Sequence, residues 1–394
     1  MGVMKKMQFD IIGQRLADLK VKYLFMDKFF GNAFKETRKT KKIDTINIYI
    51  SLESLYNKFR RPQYEKLFED LSKRELKEAY RTCISEFINV AAHYRKYFTR
   101  HKIMTNIIYY YNYIEDDAVD YNNTPLCNEY RLHWFNSVHN MDRWAINNMV
   151  FDSIPFMNII CEYLEDVYMV GTKRVESSII PFIFEMEGYL PANMNIIISS
   201  DPYDFQYTNY NSLLITKYEN EPFLITKKNV IPFMNYWKGS EFEPERIINP
   251  LLLTFILSCI GDKKRSIRKI SGLGYRSVYK DLMKLYDAGY LFDENEETFH
   301  ISNLLHVLNG TLLSKYTVDE MASTIMTNYN VTNFEYQYKQ VSSTQKKKLE
   351  DQIVDKVDTE ALLELNDKYF SGSPLMLEEL NQYNKNEGND PIFM

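Results

Sequence analysis

Residues 248–290 read INPLLLTFILSCIGDKKRSIRKISGLGYRSVYKDLMKLYDAGY. The pattern predicts an apolar helix, a short basic loop, the turn Ser271-Gly272-Leu273-Gly274 and an amphipathic helix. Two glycines at that spacing let the backbone turn tightly where a Cβ would clash. The second helix then begins with outward-facing N–H groups, a geometry that suits a phosphate.

Basic side chains crowd the same turn, which favours contact with a nucleic-acid backbone rather than chemistry. We therefore expect DNA to be bound, if at all, through residues 261–280. The candidate nucleic-acid-binding residues are Lys263, Lys264, Gly272, Gly274, Arg276 and Lys280.

The composition of the chain limits the other possibilities. Of its 394 residues, 45% are hydrophobic, which is ordinary for a globular protein. Its net charge of −5 counts mildly against a protein whose sole function is to bind DNA, since such proteins are usually basic. The four cysteines are scattered without metal-ligand spacing, which predicts reduced, buried thiols. Because neither a signal peptide nor a membrane span is apparent, we expect a protein of the host cytoplasm or a virion, neither secreted nor transmembrane.

Working outward from this stretch, strands alternate with helices. Strands are predicted at 45–52, 102–113 and from 194, a β-hairpin at 213–228, and helices at 64–100 and 176–189. The region 114–175 is mixed, with a helical pattern over 142–167. This alternation predicts an α/β fold around a central, mostly parallel sheet.

The chain divides into four parts on this interpretation. Residues 43–247 form the α/β core and 248–310 the region around the helix–turn–helix stretch. Residues 1–42 and 311–394 form helical extensions, which either pack on the core or dock on protein partners.

Two motifs, taken in order, resemble the FEN-type 5′-nuclease family. One is IIISSDPYDFQY (196–207), similar to the family's strand ending in Ser-Gly-Asp-x-Asp; the other is LSCIGDKKRSIRKISGLGYRSVYKDL (257–282), similar to its Gly-Asp-x-x-Asp loop before Gly-hydrophobic-Gly and a helix. The resemblance implies a PIN-like core, a helical arch at about 114–175, and a helix–two-turn–helix that holds duplex DNA.

The family's chemistry requires a cluster of carboxylates that holds two divalent metal ions. Carried over to this chain, the resemblance implies that only part of that cluster survives. Acids remain at Glu176, Asp201, Asp204 and Asp262, whereas the other expected positions hold Ser51, Asn112, Ser178 and Arg265.

The resemblance therefore implies an inactive homologue, encoded by a virus, that binds nucleic acid or serves in assembly. We expect no intact catalytic set, no metal and no cofactor, and we interpret the surviving acids as helix caps and turn residues. Two alternatives remain open. One is an active, structure-specific 5′ nuclease that uses Mg or Mn through unusual ligands, and the other is a virion scaffold that never contacts nucleic acid.

Overall fold

The computed structural model describes residues 43–56, 73–112, 154, 157–162, 164–172, 176–210, 212–218, 221–227, 229–237, 251–261, 267, 269–270, 273–291 and 318–353. Several predictions fall outside these residues. They concern the extension 1–42, most of the arch region 114–175, the tail beyond 353, and the loop residues Asp262, Lys263, Lys264, Arg265 and Gly272.

A six-stranded sheet forms the centre of the molecule, with the strand order β3-β2-β1-β4-β5-β6. The first five strands in that order run parallel, and β6 pairs antiparallel with β5. The predicted α/β fold with a mostly parallel sheet is thus confirmed. The strands are β1 (Thr45–Ser51), β2 (Met104–Asn112), β3 (Val167–Thr172), β4 (Met194–Ile198), β5 (Ser212–Tyr218) and β6 (Glu221–Ile225).

Helices connect and cover these strands. They are α1 (Leu52–Tyr56), α2 (Lys73–Arg100), α3 (Ile180–Glu187), α4 (Val230–Trp237), α5 (Leu252–Ile260), α6 (Tyr275–Asp287), α7 (Val318–Thr332), α8 (Phe334–Gln340) and α9 (Ser343–Glu350). Short 3₁₀ helices lie at Ser177–Ile179, Pro202–Asn209 and Asp351–Ile353. The apolar helix and the amphipathic helix predicted within residues 248–290 are confirmed as α5 and α6.

The sheet is the middle layer between two hydrophobic cores. Along β1, Ile46, Ile48 and Ile50 point into one core together with residues of α2, whereas Tyr49 points into the other with residues of α3, α5 and α6. A parallel strand buried on both faces favours apolar side chains throughout, which explains runs such as Ile196–Ile198. Cys259 lies in the second core as a buried free thiol, as predicted.

Strand β3 is not predicted by the sequence, because it begins where the helical pattern of 142–167 ends. Residues 157–162 are indeed helical, but the chain then turns and Val167–Thr172 pairs with β2. All six residues of this strand are buried. A short strand buried on both faces shows no polar–apolar alternation, so its period cannot distinguish it from a helix.

The described part of the carboxy-terminal extension packs on the core. Leu349 is buried among core residues, and Lys346 forms an ion pair of 2.6 Å with Glu187 at the end of α3. The Tyr338 hydroxyl donates to the same carboxylate, and the Lys346 ammonium lies 3.6 Å from the centre of the Tyr338 ring. Hydrogen bonds from Lys346 and Tyr338 hold the pKa of Glu187 below its ordinary value.

We predict that Glu187→Gln lowers the free energy of unfolding at neutral pH by about 0.5–1 kcal/mol, as expected for a partly exposed ion pair. Because the pKa of Glu187 is depressed in the folded state, its contribution is present above the ordinary carboxyl pKa and is lost as the pH falls through the folded value. Denaturant unfolding across pH 3–7 would show the wild type and the variant converging in acid. The exposed Glu350→Gln serves as the control, and an equal loss at every pH would contradict the electrostatic origin.

Candidate functional site

The carboxyl ends of β1, β2 and β4 meet at one edge of the sheet. Ser51 pairs with Tyr110 of β2, and Ile50 pairs with Ile198 of β4, so Ser199 follows at the same level as Ser51. After β1 the chain forms β2 on one side of β1, whereas β4, which comes later in the chain, lies on the other side of β1. In open α/β sheets such a switch point, beyond the carboxyl ends of the strands, is where ligands usually bind.

Serine hydroxyls fill this position. The Ser51 hydroxyl oxygen accepts the N–H of Ser54 at 3.2 Å and thereby caps the first turn of α1. The Ser54 hydroxyl oxygen lies 3.3 Å from that of Ser199 and 3.2 Å from that of Ser200, and it accepts the Ser200 N–H at 3.0 Å. These four residues, called here the serine cluster, tie α1 to the chain that leaves β4.

Asp201 is used as a helix cap. Its carboxylate accepts the N–H of Tyr203 at 3.0 Å at the start of the 3₁₀ helix Pro202–Asn209, and its own N–H donates to the Ser199 hydroxyl at 3.1 Å. Asp201 thus occupies the N-cap position of this 3₁₀ helix.

Asp204 lies inside the protein, with only 1% of its surface exposed. The Tyr110 hydroxyl donates to its carboxyl group at 3.2 Å, and Ser199 also hydrogen-bonds to Tyr110. Burial raises the pKa of the Tyr110 phenol well above its ordinary value, and the negative charge of Asp204 raises it further. The carboxyl group thus faces a neutral phenol that acts as its donor.

Three further positions carried over from the resemblance, Glu176, Ser178 and Asn112, are among the described residues. Glu176 precedes the 3₁₀ helix Ser177–Ile179, but its side chain makes no capping hydrogen bond there. Ser178 is buried, and its carbonyl accepts the Tyr207 hydroxyl. Asn112 ends β2 opposite Thr172 of β3, two residues beyond the level of Ser51, so Tyr110 rather than Asn112 lies beside Ser51.

The donor set at this edge differs from the set that a pair of divalent cations needs. Hard cations prefer several anionic oxygens, whereas the serine cluster supplies neutral hydroxyls that hydrogen-bond to one another. Among the described residues, no group of three or more His, Cys, Asp or Glu side chains is arranged to hold a metal ion. The serine cluster at this edge thus supplies neutral oxygens, whereas a two-metal centre requires several anionic ones.

A buried hydrogen-bond network joins the 3₁₀ helix Pro202–Asn209, which contains Asp204 and is capped by Asp201, to helices α5 and α7. Gln206 donates to the carbonyl of Thr332 at 3.1 Å, and its own carbonyl accepts the Thr254 hydroxyl at 2.7 Å. Ser258 and Thr332 share a hydrogen bond of 2.8 Å between their hydroxyls. Since Thr254 and Ser258 lie on α5 and Thr332 ends α7, the candidate site and the helix before the basic loop are connected through the core.

The loop after α5 depends on Gly261. Its φ of +66° lies in the region that favours glycine, and a Cβ there would be 2.6 Å from the carbonyl oxygen of Ile267 and from the nitrogen of Lys269. The clash predicted at Gly274 is wrong, because its φ is −116° and an added Cβ would meet no atom within 4 Å. The sequence pattern therefore points to Gly274, in the turn before α6. The described backbone is instead crowded at Gly261, directly after α5.

Helix α6 presents a basic face. Arg276, Lys280 and Lys284 are spaced four residues apart and are all exposed, whereas Val278 and Leu282 are buried against the core. At its start, the N–H of Gly274 donates to the Ser277 hydroxyl at 3.0 Å. Lys284 also pairs with Asp281 at 3.1 Å. The two predicted residues Arg276 and Lys280 thus lie together on one exposed face, next to the described part of the turn.

The fold places the chain among α/β proteins with a mostly parallel central sheet. Solved structures similar to it come from bacteriophage T5. A flap endonuclease complex with DNA and metal ions has 11% identity and a TM-score of 0.47, covering 82% of this chain and 99% of its own. A 5′-exonuclease with bound zinc has 11% identity, a TM-score of 0.48, and coverage of 79% and 100%.

A T5 protein crystallised with metal ions has 12% identity and a TM-score of 0.49, covering 81% of this chain and 99% of its own. No protein-family model matches the sequence, and no curated protein matches it. Within the described part of the chain, none of the helices has both the length and the apolar character that crossing a membrane requires.

Three residues of the site escape prediction from the sequence: Ser54, Tyr110 and Gly261. Ser54 gives no signal, because its role depends on a single helical turn after β1. Tyr110 could be found from the pairing register of the strands, which the sequence alone does not provide. Gly261 carries a signal, since a glycine directly after an apolar helix commonly marks its end.

We predict that Gly261→Ala lowers the free energy of unfolding by more than about 2 kcal/mol, because the new methyl group must displace backbone atoms. Gly274→Ala is the matched control, with a smaller expected loss of about 1 kcal/mol, because Gly274 is the N-cap of α6 and alanine is disfavoured there. Chemical denaturation of both variants checks this, and equal stabilities would contradict the proposed crowding at Gly261.

Proposed function

We propose that this protein is a catalytically inactive relative of the FEN-type 5′ nucleases. In this proposal it binds nucleic acid through helix α6 and the turn that precedes it. In this proposal the α/β core serves as a scaffold, and the virus that encodes the protein uses it for binding rather than cutting. The observation that carries the proposal is the serine cluster at the carboxyl ends of β1 and β4.

The serine cluster supports the loss of cutting for an electrostatic reason. Two divalent cations close together repel each other and are held by the negative charges of their ligands. Neutral hydroxyls at Ser51, Ser54 and Ser199 provide none of that charge. Of the acids described at this edge, Asp201 caps a 3₁₀ helix and Asp204 is buried against Tyr110.

The retained binding is supported by the surface of α6. Arg276, Lys280 and Lys284 recur at successive turns, so their charges lie along one line about 12 Å long. Positive charges so arranged neutralise phosphates of a nucleic-acid backbone without reading its sequence. The opposite face of α6 is held in place, because Val278 and Leu282 on that face are buried in the core.

We predict that the purified protein does not cleave a 5′-flap DNA substrate above background with Mg²⁺ or Mn²⁺. Asp201→Ala and Asp204→Asn should leave this background unchanged, since neither carboxylate holds a metal ion in the proposal. Gel analysis of labelled substrate over time checks this. Robust cleavage that disappears in Asp201→Ala would instead establish an active nuclease with unusual ligands.

We further predict that duplex DNA is bound with a strong dependence on salt, and that Arg276→Glu with Lys280→Glu weakens binding at least tenfold. The slope of log affinity against log salt should fall by about two, because two phosphates are no longer neutralised by the protein. Fluorescence anisotropy from 50 to 200 mM salt measures both quantities.

The matched control for this experiment is Lys227→Glu with Lys339→Glu, which reverses two exposed charges away from α6. It changes the net charge equally, so a comparable loss would assign binding to overall charge rather than to this face. Binding that is absent at every salt concentration would favour a purely structural role in assembly.

A further inference from the structure

The two edges of the sheet are protected in different ways. An exposed edge strand presents unpaired backbone groups to which another strand can add. The sequence of β6, EPFLI, contains a proline, which lacks the backbone N–H that an added strand would use. The sequence of β3, VYMVGT, contains no proline and no charged residue. Its protection therefore has to come from outside the strand.

The side chain of Gln352 supplies that protection at Gly171. Its carbonyl oxygen accepts the Gly171 N–H at 2.8 Å, and its amide nitrogen donates to the Gly171 carbonyl at 3.2 Å. A peptide group of a neighbouring strand would make the same pair of hydrogen bonds. The Gln352 amide also donates to the Lys348 carbonyl at 2.9 Å, which holds it to the end of α9.

The segment that carries Gln352 is anchored at two further points. Leu349 is 3% exposed and packs in the core, and Lys346 pairs with Glu187 of α3. Residues 343–353, called here the edge cover, thus combine an apolar anchor, an ion pair and an amide that imitates a strand. Packing alone would not require that amide, whereas blocking of the strand edge does.

We propose that the edge cover prevents self-association, and that a β3 strand without it pairs with β3 of a second copy of this chain. The uncovered edge fits itself best, because its sequence has no charge to repel an identical strand. Gly171 adds no side chain that would keep the two backbones apart. Antiparallel pairing about a two-fold axis would also satisfy both edges at once and close the assembly as a dimer.

The test removes the cover with point substitutions in the full chain. In Leu349→Asp combined with Gln352→Ala, hydrogen exchange of a peptide spanning 167–172 should accelerate at least tenfold at a dilution where the variant is monomeric, because pairing with a second copy would protect the same N–H groups again. Light scattering after gel filtration should then show a concentration-dependent shift of mass toward twice that of the wild type. Gln352→Ala alone should accelerate exchange about threefold to tenfold, the effect of losing one to two hydrogen bonds.

Two controls assign the association to β3. Lys347→Ala changes an exposed residue of α9 whose ion pair with Asp351 is 3.9 Å long, and it should alter neither measurement. Adding Gly171→Pro to the uncovered variant should abolish the dimer, because proline removes the outward N–H without removing a hydrogen bond to β2. Circular dichroism verifies that each variant is folded.

Three outcomes would overturn the proposal. The first is unchanged exchange of 167–172 in both cover variants, which would mean that the cover does not protect the edge. The second is lost protection without any shift in mass, which would mean that the bare edge does not pair. The third is a dimer that persists with Gly171→Pro, which would place the association elsewhere.

Discussion

A buried carboxyl group joins three elements at the carboxyl ends of the strands. Asp204 is almost fully inside the protein, and a carboxyl group without hydrogen-bond donors in such a place costs several kcal/mol. Tyr110 from β2 supplies a donor, and Ser199 at the end of β4 supports Tyr110 in turn. The need to satisfy one side chain thus ties two strands and the following 3₁₀ helix to a single arrangement.

The same 3₁₀ helix extends this constraint to the opposite side of the core. Gln206, two residues after Asp204, hydrogen-bonds to Thr254 of α5 and to the last turn of α7. Because α5 ends at Gly261, where the backbone of the basic loop approaches closely, the carboxyl edge of the sheet and the start of that loop form one connected unit. A scaffold of this kind keeps the surface of α6 in a defined position relative to the carboxyl ends of the strands.

Much of the site can be predicted from local sequence, but its partners cannot. The hydroxyl at Ser51 and the acids at Asp201 and Asp204 are found from the family resemblance, which places them directly after apolar strands. That Asp201 caps a helix follows from its place before a proline turn. The hydrogen bond between Tyr110 and Asp204, by contrast, joins residues 94 positions apart and depends on the pairing register of the strands. Ser54 gives no local signal for the same reason, since its partners lie 145 and 146 positions away.

The sequence by itself determined the class of fold, because runs of apolar residues and their period depend on neighbours a few positions apart. It also determined that Ser51 and Ser199 follow the apolar runs of β1 and β4, and that α6 has a buried and a basic face. Only the tertiary structure decided that β3 is an edge strand, that Gln352 covers it, and that Gly261 rather than Gly274 is sterically required. Each of those properties arises from contacts between backbone segments that pairing and packing bring together, and the local sequence carries no record of which segments will meet.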